Sequence, residues 1–537
     1  MMFSRFCNLC HKTTNVQFVK LQRCYRKGSS NNKKKRNVSC TNLPEKAKKG
    51  TAIIICKKKE LNFYEGQIYS KFEPIPLAAK GWHHYKSKGD YFFIHPLVNV
   101  EQEAYVESDE IESFNNFGLD QQLINVLERY SITRPLKIQI DGIPKIMNGS
   151  NTVITAETGC GKTLSYLIPM INKILTWKTL KNRPYNSPLG LIVTPTRELA
   201  FQIGLEAEKI CQYLGIRTKT FTGGKTKKIL LDPPLGHVDI IVASFGVISK
   251  LTTNDIYKLD MVRYIVLDEA DSLFDETFED KLQVFLRRIP IGFVQNLNNT
   301  EFPNAAQLTV TSATMPSRMS EVLENIVNID SLIQVKSDKL HHILVPQKFM
   351  RIGPSDKPIE LLKYIKPKVA NKEPVIIFSN NSATCNWVSM FLNNSYIKTV
   401  HLSGTMPMYM RNGMYANFKS GRCNVLCTTN AGSRGLDTVA VRHVLNYEFP
   451  LSTTDYIHRC GRTGRVGSVK DCRVTNFVST LAEIGLVRKI ERATRKMKPI
   501  PICDIYGTQE DNEEPLKLQN VDDKEQANVN KEFSIPY

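Results

Sequence analysis

The sequence predicts an α/β protein with two tandem domains, each built on a parallel β-sheet that helices cover on both faces. From about residue 111, short β-branched runs alternate with longer amphipathic segments, which is typical of β-α-β units. These runs form two series, each of roughly 150–230 residues, the size of one domain. The predicted strands are 151–155, 191–194, 239–243, 264–267 and 307–311 in the first series, and 374–378, 398–402, 424–428, 441–447 and 472–477 in the second.

The domain boundaries follow from these two series. We predict domain 1 at residues 111–340 and domain 2 at 341–505, with the join near 335–346. Residues 45–110 form an N-terminal extension of unknown role, with strand-like runs at 51–56 and 91–94. Residues 506–537 carry eight acidic residues against three lysines, which predicts a solvated acidic tail.

Composition excludes two classes of protein and indicates a third. The 537 residues are 42% hydrophobic and 23% charged, which excludes wholesale disorder. We predict no membrane span, because no apolar run approaches the roughly 20 residues that one requires. The net charge of +20 indicates a polyanionic partner, but charge alone does not distinguish nucleic acid from anionic lipid or a targeting signal.

The N-terminal 44 residues contain ten Lys and Arg and no acidic residue. Lys20, Arg23 and Lys27 share one helical face, and this basic, acid-poor, amphipathic pattern predicts a mitochondrial transit peptide at 1–44. A nuclear signal or an RNA-binding arm remains the alternative, because residues 33–36 read KKKR. Thirteen cysteines without disulfide-framework spacing agree with a reducing compartment, and we interpret the CxxCH match at 7–11 as chance.

A glycine-rich turn follows the predicted strand 151–155 and precedes an amphipathic helix over 164–175. Successive backbone N–H groups of such a turn surround a phosphate, and the helix N-terminus adds partial positive charge. Within it, Lys162 is predicted to reach the β- and γ-phosphates of a nucleotide, and Thr163 to ligate Mg²⁺. The full predicted loop comprises Ala156, Glu157, Thr158, Gly159, Cys160, Gly161, Lys162 and Thr163, with Ala156 where the strict pattern has glycine.

Acidic residues at the end of a neighbouring buried strand complete a nucleotide site. Asp268 follows the strand 264–267 and is predicted to hold the Mg²⁺ shell. Glu269 is predicted to orient and deprotonate the attacking water. The alternative is a helix N-cap followed by acidic residues in the first turn.

Together these motifs resemble the DEAD-box RNA helicases of superfamily 2. The signature is Asp-Glu-Ala-Asp at 268–271, and the other motifs stand around it in the family's order, over about residues 111–505. They are AETGCGKT at 156–163, PTRELA at 195–200, TGG at 222–224, SAT at 312–314, SRGLD at 433–437 and HRCGRTGR at 458–465.

The resemblance implies two RecA-like domains that bind ATP between them, with Mg²⁺, and RNA across both. Phe114 and Gln139 match the adenine-reading motif, since a Gln amide pairs with N6–H and N7 of adenine. Arg462 and Arg465 would act as arginine fingers from domain 2. By the same resemblance, Asp437 would contact the nucleotide, and Ser312, Thr314 and His458 would couple nucleotide state to RNA binding.

The resemblance also assigns residues to the RNA backbone, which hydroxyls, backbone N–H groups and arginines fix without reading sequence. Departures from the family pattern lie mainly among these. Phe245 and Val247 stand where proline and arginine are usual, and Asn430 replaces an aspartate. The implied RNA-binding residues are Pro195, Thr196, Arg197, Gly223, Gly224, Ser244, Arg411, Thr428 and Thr429.

We therefore expect an ATP-dependent RNA helicase with a monomeric core that acts on structured RNA in the mitochondrial matrix, with a nuclear or nucleolar location as the alternative. Mitochondrial ribosomal RNA or ribosome assembly is the expected setting, with ribosomal particles or protein cofactors as partners. The altered RNA-facing residues motivate one alternative, an ATP-gated RNA clamp that separates few strands. A second alternative is a non-enzymatic nucleic-acid-binding protein, against which the intact Lys162, Glu269, Arg462 and Arg465 argue.

Overall fold

The computed structural model describes residues 51–70, 72–96, 113–179, 183–224, 226–274, 278–292, 302–315, 318–403, 406, 408–433, 436, 438–465, 467–468 and 471–504. The predicted transit peptide, the acidic tail and Asp437 lie outside these residues. No described helix combines the length and the apolar character needed to cross a membrane.

The strands of the described residues belong to two sheets, and all ten predicted strands are present to within two residues at either end. Numbered along the chain, the strands are β1 (Ala52–Cys56), β2 (Phe63–Tyr64), β3 (Tyr91–Ile94), β4 (Thr152–Thr155), β5 (Gly190–Thr194), β6 (Thr218–Phe221), β7 (Ile240–Ser244), β8 (Tyr264–Leu267), β9 (Gln307–Ser312), β10 (Ile333–Lys336), β11 (Gln347–Arg351), β12 (Val375–Phe378), β13 (Val400–Leu402), β14 (Val425–Thr428), β15 (His443–Asn446) and β16 (Arg473–Val478).

The described α-helices lie mainly between consecutive strands. They are α1 (Gln121–Arg129), α2 (Lys137–Met147), α3 (Lys162–Trp177), α4 (Arg197–Cys211), α5 (Thr226–Leu231), α6 (Phe245–Thr253), α7 (Ala270–Leu273), α8 (Glu279–Leu286), α9 (Met319–Leu323), α10 (Lys357–Ala370), α11 (Ser382–Asn394), α12 (Met408–Lys419), α13 (Asn430–Ser433), α14 (Thr453–Cys460) and α15 (Leu481–Arg495).

The first sheet has seven parallel strands in the order β10-β4-β9-β8-β5-β7-β6. Every residue of β4, β5, β7, β8 and β9 is buried, as expected for central strands with helices on both faces. Helices α1 to α4 supply one hydrophobic core, and α6, α8 and α9 supply the other. The phosphate loop and the acidic strand end therefore project from a rigid scaffold.

The second sheet has nine strands in the order β13-β14-β12-β15-β16-β11-β3-β1-β2. The six strands from β13 to β11 are parallel. The N-terminal extension adds the other three, because β3 pairs antiparallel with β11, and β1 then pairs antiparallel with β3 and β2. The extension thus belongs to the sheet of the second domain, although it precedes the first domain in sequence.

A buried ion pair attaches the extension to α15. The side chains of Glu491 and Arg495 are both fully buried and lie 2.9 Å apart. The Glu491 carboxylate accepts the backbone N–H groups of Ala78 at 2.7 Å and Ala79 at 3.0 Å, and Arg495 donates to the Leu61 carbonyl at 2.7 Å. Because both charges are paired and hydrogen-bonded on each side, the extension is an integral layer of the second domain.

Candidate active site

The phosphate loop lies between β4 and α3 and has the backbone geometry of an anion cradle. Gly159 and Gly161 adopt φ of +84° and +98°, a region that glycine enters without steric cost. The Lys162 ammonium, in the first turn of α3, donates to the carbonyls of Ala156 and, at 2.8 Å, Glu157. Ala156 is fully buried and keeps a negative φ, so this position does not require the glycine of the strict pattern.

Asp268 leaves β8 with its carboxylate held by three donors. The Tyr166 hydroxyl donates to Oδ2 at 2.9 Å, the Thr311 hydroxyl donates to Oδ1, and the backbone N–H of Glu269 donates to Oδ1 at 2.8 Å. Asp268 is 5% exposed. The carboxylate is thereby fixed in one orientation and bonded to Tyr166 of α3, the helix that follows the phosphate loop, rather than acting as a simple helix cap.

Glu269 sits in a backbone conformation that few residues adopt. Its φ of +51° places it in the left-handed region, which is costly for a residue with a side chain and is commonly found at functional sites. Burial raises the pKa of the Glu269 carboxyl, while the positive charges of Arg462 and His458 oppose the rise. Its Oε2 is buried and has no hydrogen-bond partner among the described residues. Such a carboxylate is suited to accept a proton from water.

Asp271 joins the two domains at the centre of the site. Its Oδ2 accepts the Thr314 hydroxyl at 3.1 Å and lies 3.0 Å from His458 Nε2, which belongs to α14 of the second domain. Burial alone would raise the pKa of Asp271, but the His458 ring and the hydroxyls of Ser312 and Thr314 hold it well below its usual range. The three predicted coupling residues therefore converge on one charged carboxylate.

The two predicted arginine fingers reach the site from the second domain. Arg462 Nη2 lies 3.9 Å from Glu269 Oε1, and Arg462 is 3% exposed. The aliphatic part of Arg465 packs on Gly159 so closely that a Cβ on this glycine would come within 2.6 Å of it. The Thr158 hydroxyl donates to the Gly461 carbonyl at 3.1 Å. The phosphate loop is thus in direct contact with Arg465 and with Gly461, the residue before Arg462.

Of the two predicted adenine-reading residues, Gln139 lies beside the phosphate loop. The Gln139 side chain is buried; its oxygen accepts the Leu136 N–H at 2.9 Å and its nitrogen donates to the Gly161 carbonyl at 3.1 Å. A side-chain amide has two hydrogen-bond donors and two acceptor lone pairs, so half of its hydrogen-bonding capacity remains for the adenine base. Phe114 is 2% exposed and packs edge-on against Phe117, in the core of domain 1.

Two of the predicted RNA-binding arginines make contacts between the domains. Arg197, at the start of α4, donates to the Met406 carbonyl of the second domain at 3.1 Å. Arg411 is 4% exposed, and its Nε lies 3.0 Å from Oε1 of Glu198 in the first domain. Both guanidiniums are therefore engaged within the protein, and RNA contact by Arg197 and by Arg411 remains a prediction.

The other predicted RNA-binding residues divide into open and internally bonded positions. Gly223 and Gly224 have open space where a side chain would lie. The Thr428 hydroxyl donates to the Leu402 carbonyl at 3.0 Å, and the Thr429 hydroxyl accepts the Gly432 N–H at 3.3 Å. The remaining three are half-buried or buried at the ends of strands β5 and β7: Pro195, Thr196 and Ser244.

The sequence departures have structural explanations. Phe245 is buried in the core of domain 1, edge-on to Phe278 and Phe285, and Val247 is buried in the same core. The usual proline and arginine positions have thus become part of the packing. Asn430 accepts a hydrogen bond from the buried Arg459 at 2.6 Å, which keeps that guanidinium bonded without a second charge.

The sequence does not predict a part in the site for Tyr166, Thr311 or Glu198. It also does not predict that Asp271 contacts both domains. Tyr166 and Thr311 lie on elements next to β8, but their hydroxyl contacts with Asp268 have no signal in the sequence. The Glu198–Arg411 pair joins residues more than 200 positions apart, and no local signal indicates it. The family resemblance implies hydroxyl hydrogen bonds from Ser312 and Thr314 to the DEAD segment, but it does not indicate that Asp271 contacts both Thr314 and His458.

The site is suited to Mg²⁺. The Asp268 carboxylate and the Thr163 hydroxyl are hard oxygen ligands, the type that Mg²⁺ prefers, and it usually retains waters and phosphate oxygens as well. The buried, unpartnered Oε2 of Glu269 is a further acceptor at the same place. These residues fit a metal–nucleotide complex.

Two family models match the chain: DEAD/DEAH box helicase over residues 136–322 and Helicase conserved C-terminal domain over residues 356–467. The chain is 35% identical over 471 residues to the Mus musculus protein named "Probable ATP-dependent RNA helicase DDX28", covering 85% of this chain and 87% of the relative. The chain belongs to the DEAD-box helicase family. The Homo sapiens protein of the same name is 33% identical over 473 residues, covering 86% and 87%.

Solved structures agree with this DEAD-box fold. Saccharomyces cerevisiae Dbp5 bound to RNA and ADP BeF3 matches with a TM-score of 0.58 and 22% identity, covering 72% of this chain and 93% of Dbp5. This confirms two parallel-sheet domains of the helicase type. As a DEAD-box helicase, the chain is an ATP-dependent enzyme of the RNA helicase class that binds ATP and RNA.

Proposed function

We propose that this DEAD-box helicase hydrolyses Mg²⁺-bound ATP with residues of both domains. The phosphate-loop N–H groups and Lys162 bind the β- and γ-phosphates. Asp268 and Thr163 would hold Mg²⁺, and the bound ion would supply positive charge for the phosphate oxygens. Glu269 accepts the proton of the attacking water, and Arg462 stabilises the transferring phosphoryl group. Arg465 supports the phosphate loop from the second domain.

Closure of the two domains gates this hydrolysis. The observation that carries the proposal is Asp271, whose one carboxylate oxygen contacts Thr314 of domain 1 and His458 of domain 2. Glu269 and Arg462 are also on different domains, so the water-activating carboxylate and the guanidinium meet only when the domains meet. Hydrolysis then opens the cleft and releases the RNA.

The setting we propose is mitochondrial, with structured ribosomal RNA as substrate and a monomeric helicase core. The support is compositional: residues 1–44 hold ten basic residues and no acid. A reporter fused to residues 1–44 is expected to enter mitochondria, and nuclear accumulation would contradict this location. Crosslinking the full chain to RNA in cells is expected to recover mitochondrial ribosomal RNA, and recovery of other transcripts alone would contradict the ribosomal role.

The enzymatic proposal is tested with the purified full chain. RNA-stimulated ATP turnover and displacement of a short duplex are both expected, and Glu269→Gln is expected to abolish turnover while retaining ATP-dependent RNA binding. ATP turnover without strand displacement would instead favour the clamp alternative. Turnover that persists in Glu269→Gln would contradict the assigned role of this residue.

A further inference from the structure

The charged side chains on the solvent-facing side of helix α15 in the second domain are all basic. Helix α15 contains two acidic residues, and both are buried: Glu483 accepts the Thr480 N–H at 2.9 Å, and Glu491 accepts the N–H groups of Ala78 and Ala79. The exposed Arg492 and the half-buried Arg488 remain on the outer side of the helix. The two acidic side chains of α15 accept hydrogen bonds inside the protein, whereas Arg488 and Arg492 face solvent.

The N-terminal extension adds further basic residues next to α15. Residues 74–89 contain no acidic residue, and Lys80 and Lys86 are exposed. Arg488 Nη2 donates to the Lys80 carbonyl at 2.6 Å, so helix and extension form one surface. Beneath it the fully buried Trp82 and the Arg351 guanidinium, which donates to the Trp82 carbonyl at 3.0 Å, hold the segment in place.

An exposed aromatic ring stands within these cations. Tyr85 is 68% exposed, its ring stacks on His84 with centroids 4.8 Å apart, and the Lys86 ammonium lies 5.9 Å from the Tyr85 centroid. An exposed ring among lysines is how proteins hold single-stranded nucleic acid: bases stack on the ring while the cations contact phosphates. An acidic protein segment would use the charges but gain little from the ring.

We propose that Lys80, His84, Tyr85, Lys86, Arg488 and Arg492 form a second RNA-binding surface, called here the extension surface. It is separate from the strand path expected of the helicase core. Strand β3 of the extension lies five strand positions from β14, whose end carries the predicted RNA-binding residues Thr428 and Thr429, and this amounts to roughly 24 Å at the usual strand spacing. The extension surface therefore binds RNA that flanks the segment in the core.

RNA length separates the two sites in an experiment on the full chain. The variant Lys80→Ala, Tyr85→Ala, Lys86→Ala alters only exposed side chains. It is expected to bind a strand of about 40 nucleotides roughly tenfold more weakly, but a strand of about 10 nucleotides as tightly as the wild type. The salt dependence for the long strand is expected to become shallower by about 1.4 in the log–log slope, since two lysines are removed.

A matched control is Lys281→Ala, Lys366→Ala, which removes two exposed lysines from α8 and α10. It is expected to bind both strands as the wild type does. Unchanged long-strand affinity in the triple variant would overturn the proposal, as would equal weakening for both lengths. Loss of binding to poly-glutamate with RNA affinity intact would also overturn it, because the surface would then take an acidic protein. Short-strand ATPase stimulation reports the core separately, so failure there would count against the proposed function instead.

Discussion

The Tyr166 hydroxyl donates a hydrogen bond of 2.9 Å to Oδ2 of Asp268, linking the helix after the phosphate loop to the acidic strand end. Burial, and then the charge of Asp268, raise the pKa of Tyr166 well above its usual value, so the phenol stays protonated and donates throughout the working pH range. Tyr166 is therefore a positioning residue for the carboxylate assigned to Mg²⁺.

Tyr166→Phe removes only this donor. We expect a roughly tenfold lower kcat for ATP, since a hydrogen bond to a charged group contributes about 1.5–3 kcal/mol, and a higher Mg²⁺ concentration for half-maximal rate. A Mg²⁺ titration of ATP turnover measures both. Tyr264→Phe is the control, because its hydroxyl meets Thr309 in the same sheet and not Asp268. An unchanged Mg²⁺ requirement in Tyr166→Phe would show that the hydroxyl does not position Asp268.

Asp271→Asn keeps the shape of the side chain that contacts Thr314 and His458 but removes its negative charge. We expect RNA stimulation of ATP turnover to fall roughly 10- to 100-fold, because hydrogen bonds to a charged partner become neutral ones, while the RNA-independent rate changes little. Turnover with and without RNA is the measurement. Asp280→Asn, an exposed residue of α8, should leave the ratio unchanged. Equal loss of both rates in Asp271→Asn would point to general damage of the site.

The pH dependence of turnover should report Glu269. Because its pKa is raised, Glu269 becomes protonated, and stops acting as a base, at a higher pH than an ordinary glutamate does. The fall of kcat/KM on the acid side should therefore be centred above a pH of about 4.3, the ordinary pKa of a glutamate. The low pKa of Asp271 keeps that carboxylate charged through this limb. Arg462→Gln should move the limb of the residual activity to higher pH, and Arg462→Lys should move it less. If the acid limb of kcat/KM falls at the same pH in both variants as in the wild type, Glu269 is not the group that titrates there.

Glu198→Gln should weaken closure of the domains. Arg411 is 4% exposed on its side chain and Glu198 is 12% exposed, so the change leaves a buried guanidinium without its counter-charge only in the closed state. We expect RNA affinity in the presence of a non-hydrolysable ATP analogue to fall at least about tenfold. Glu206→Gln breaks the exposed pair with Lys209 and should have little effect. Similar affinities for the two variants would contradict a role in closure.

Glu491→Ala should destabilise the second domain strongly. It leaves the buried Arg495 unpaired and the N–H groups of Ala78 and Ala79 without an acceptor, and breaking such a pair costs about 3–5 kcal/mol. Denaturant unfolding monitored by tryptophan fluorescence measures the loss. Arg492→Ala on the exposed side of α15 should change stability by less than about 0.5 kcal/mol. A small effect of Glu491→Ala would mean that the extension is held mainly by its strands.

The predictable part of this fold is the part with local signals. Fully buried parallel strands such as β8 are continuous apolar runs, and the phosphate loop has its own pattern, so both were found from sequence. Strand β11 was missed because its burial alternates and its residues include Lys348 and Arg351. The strands of the extension were recognised at 51–56 and 91–94, but their partner β11 was not, since pairing across the whole first domain leaves no local trace.

The position of the extension also affects how the protein is made. During synthesis, β1 to β3 emerge with Ile54, Trp82 and Phe92, whose partners in the second domain are not yet present. Strand β11 follows β3 by roughly 250 residues. At a synthesis rate of about 5–20 residues per second, the apolar face of β1 to β3 therefore stays without its partner strand for some 10–50 s. The first domain must fold during this interval, while strands β1 to β3 are still without their partner strand β11. We expect the nascent chain to require a chaperone at this stage, and the second domain expressed without residues 51–96 to be aggregation-prone.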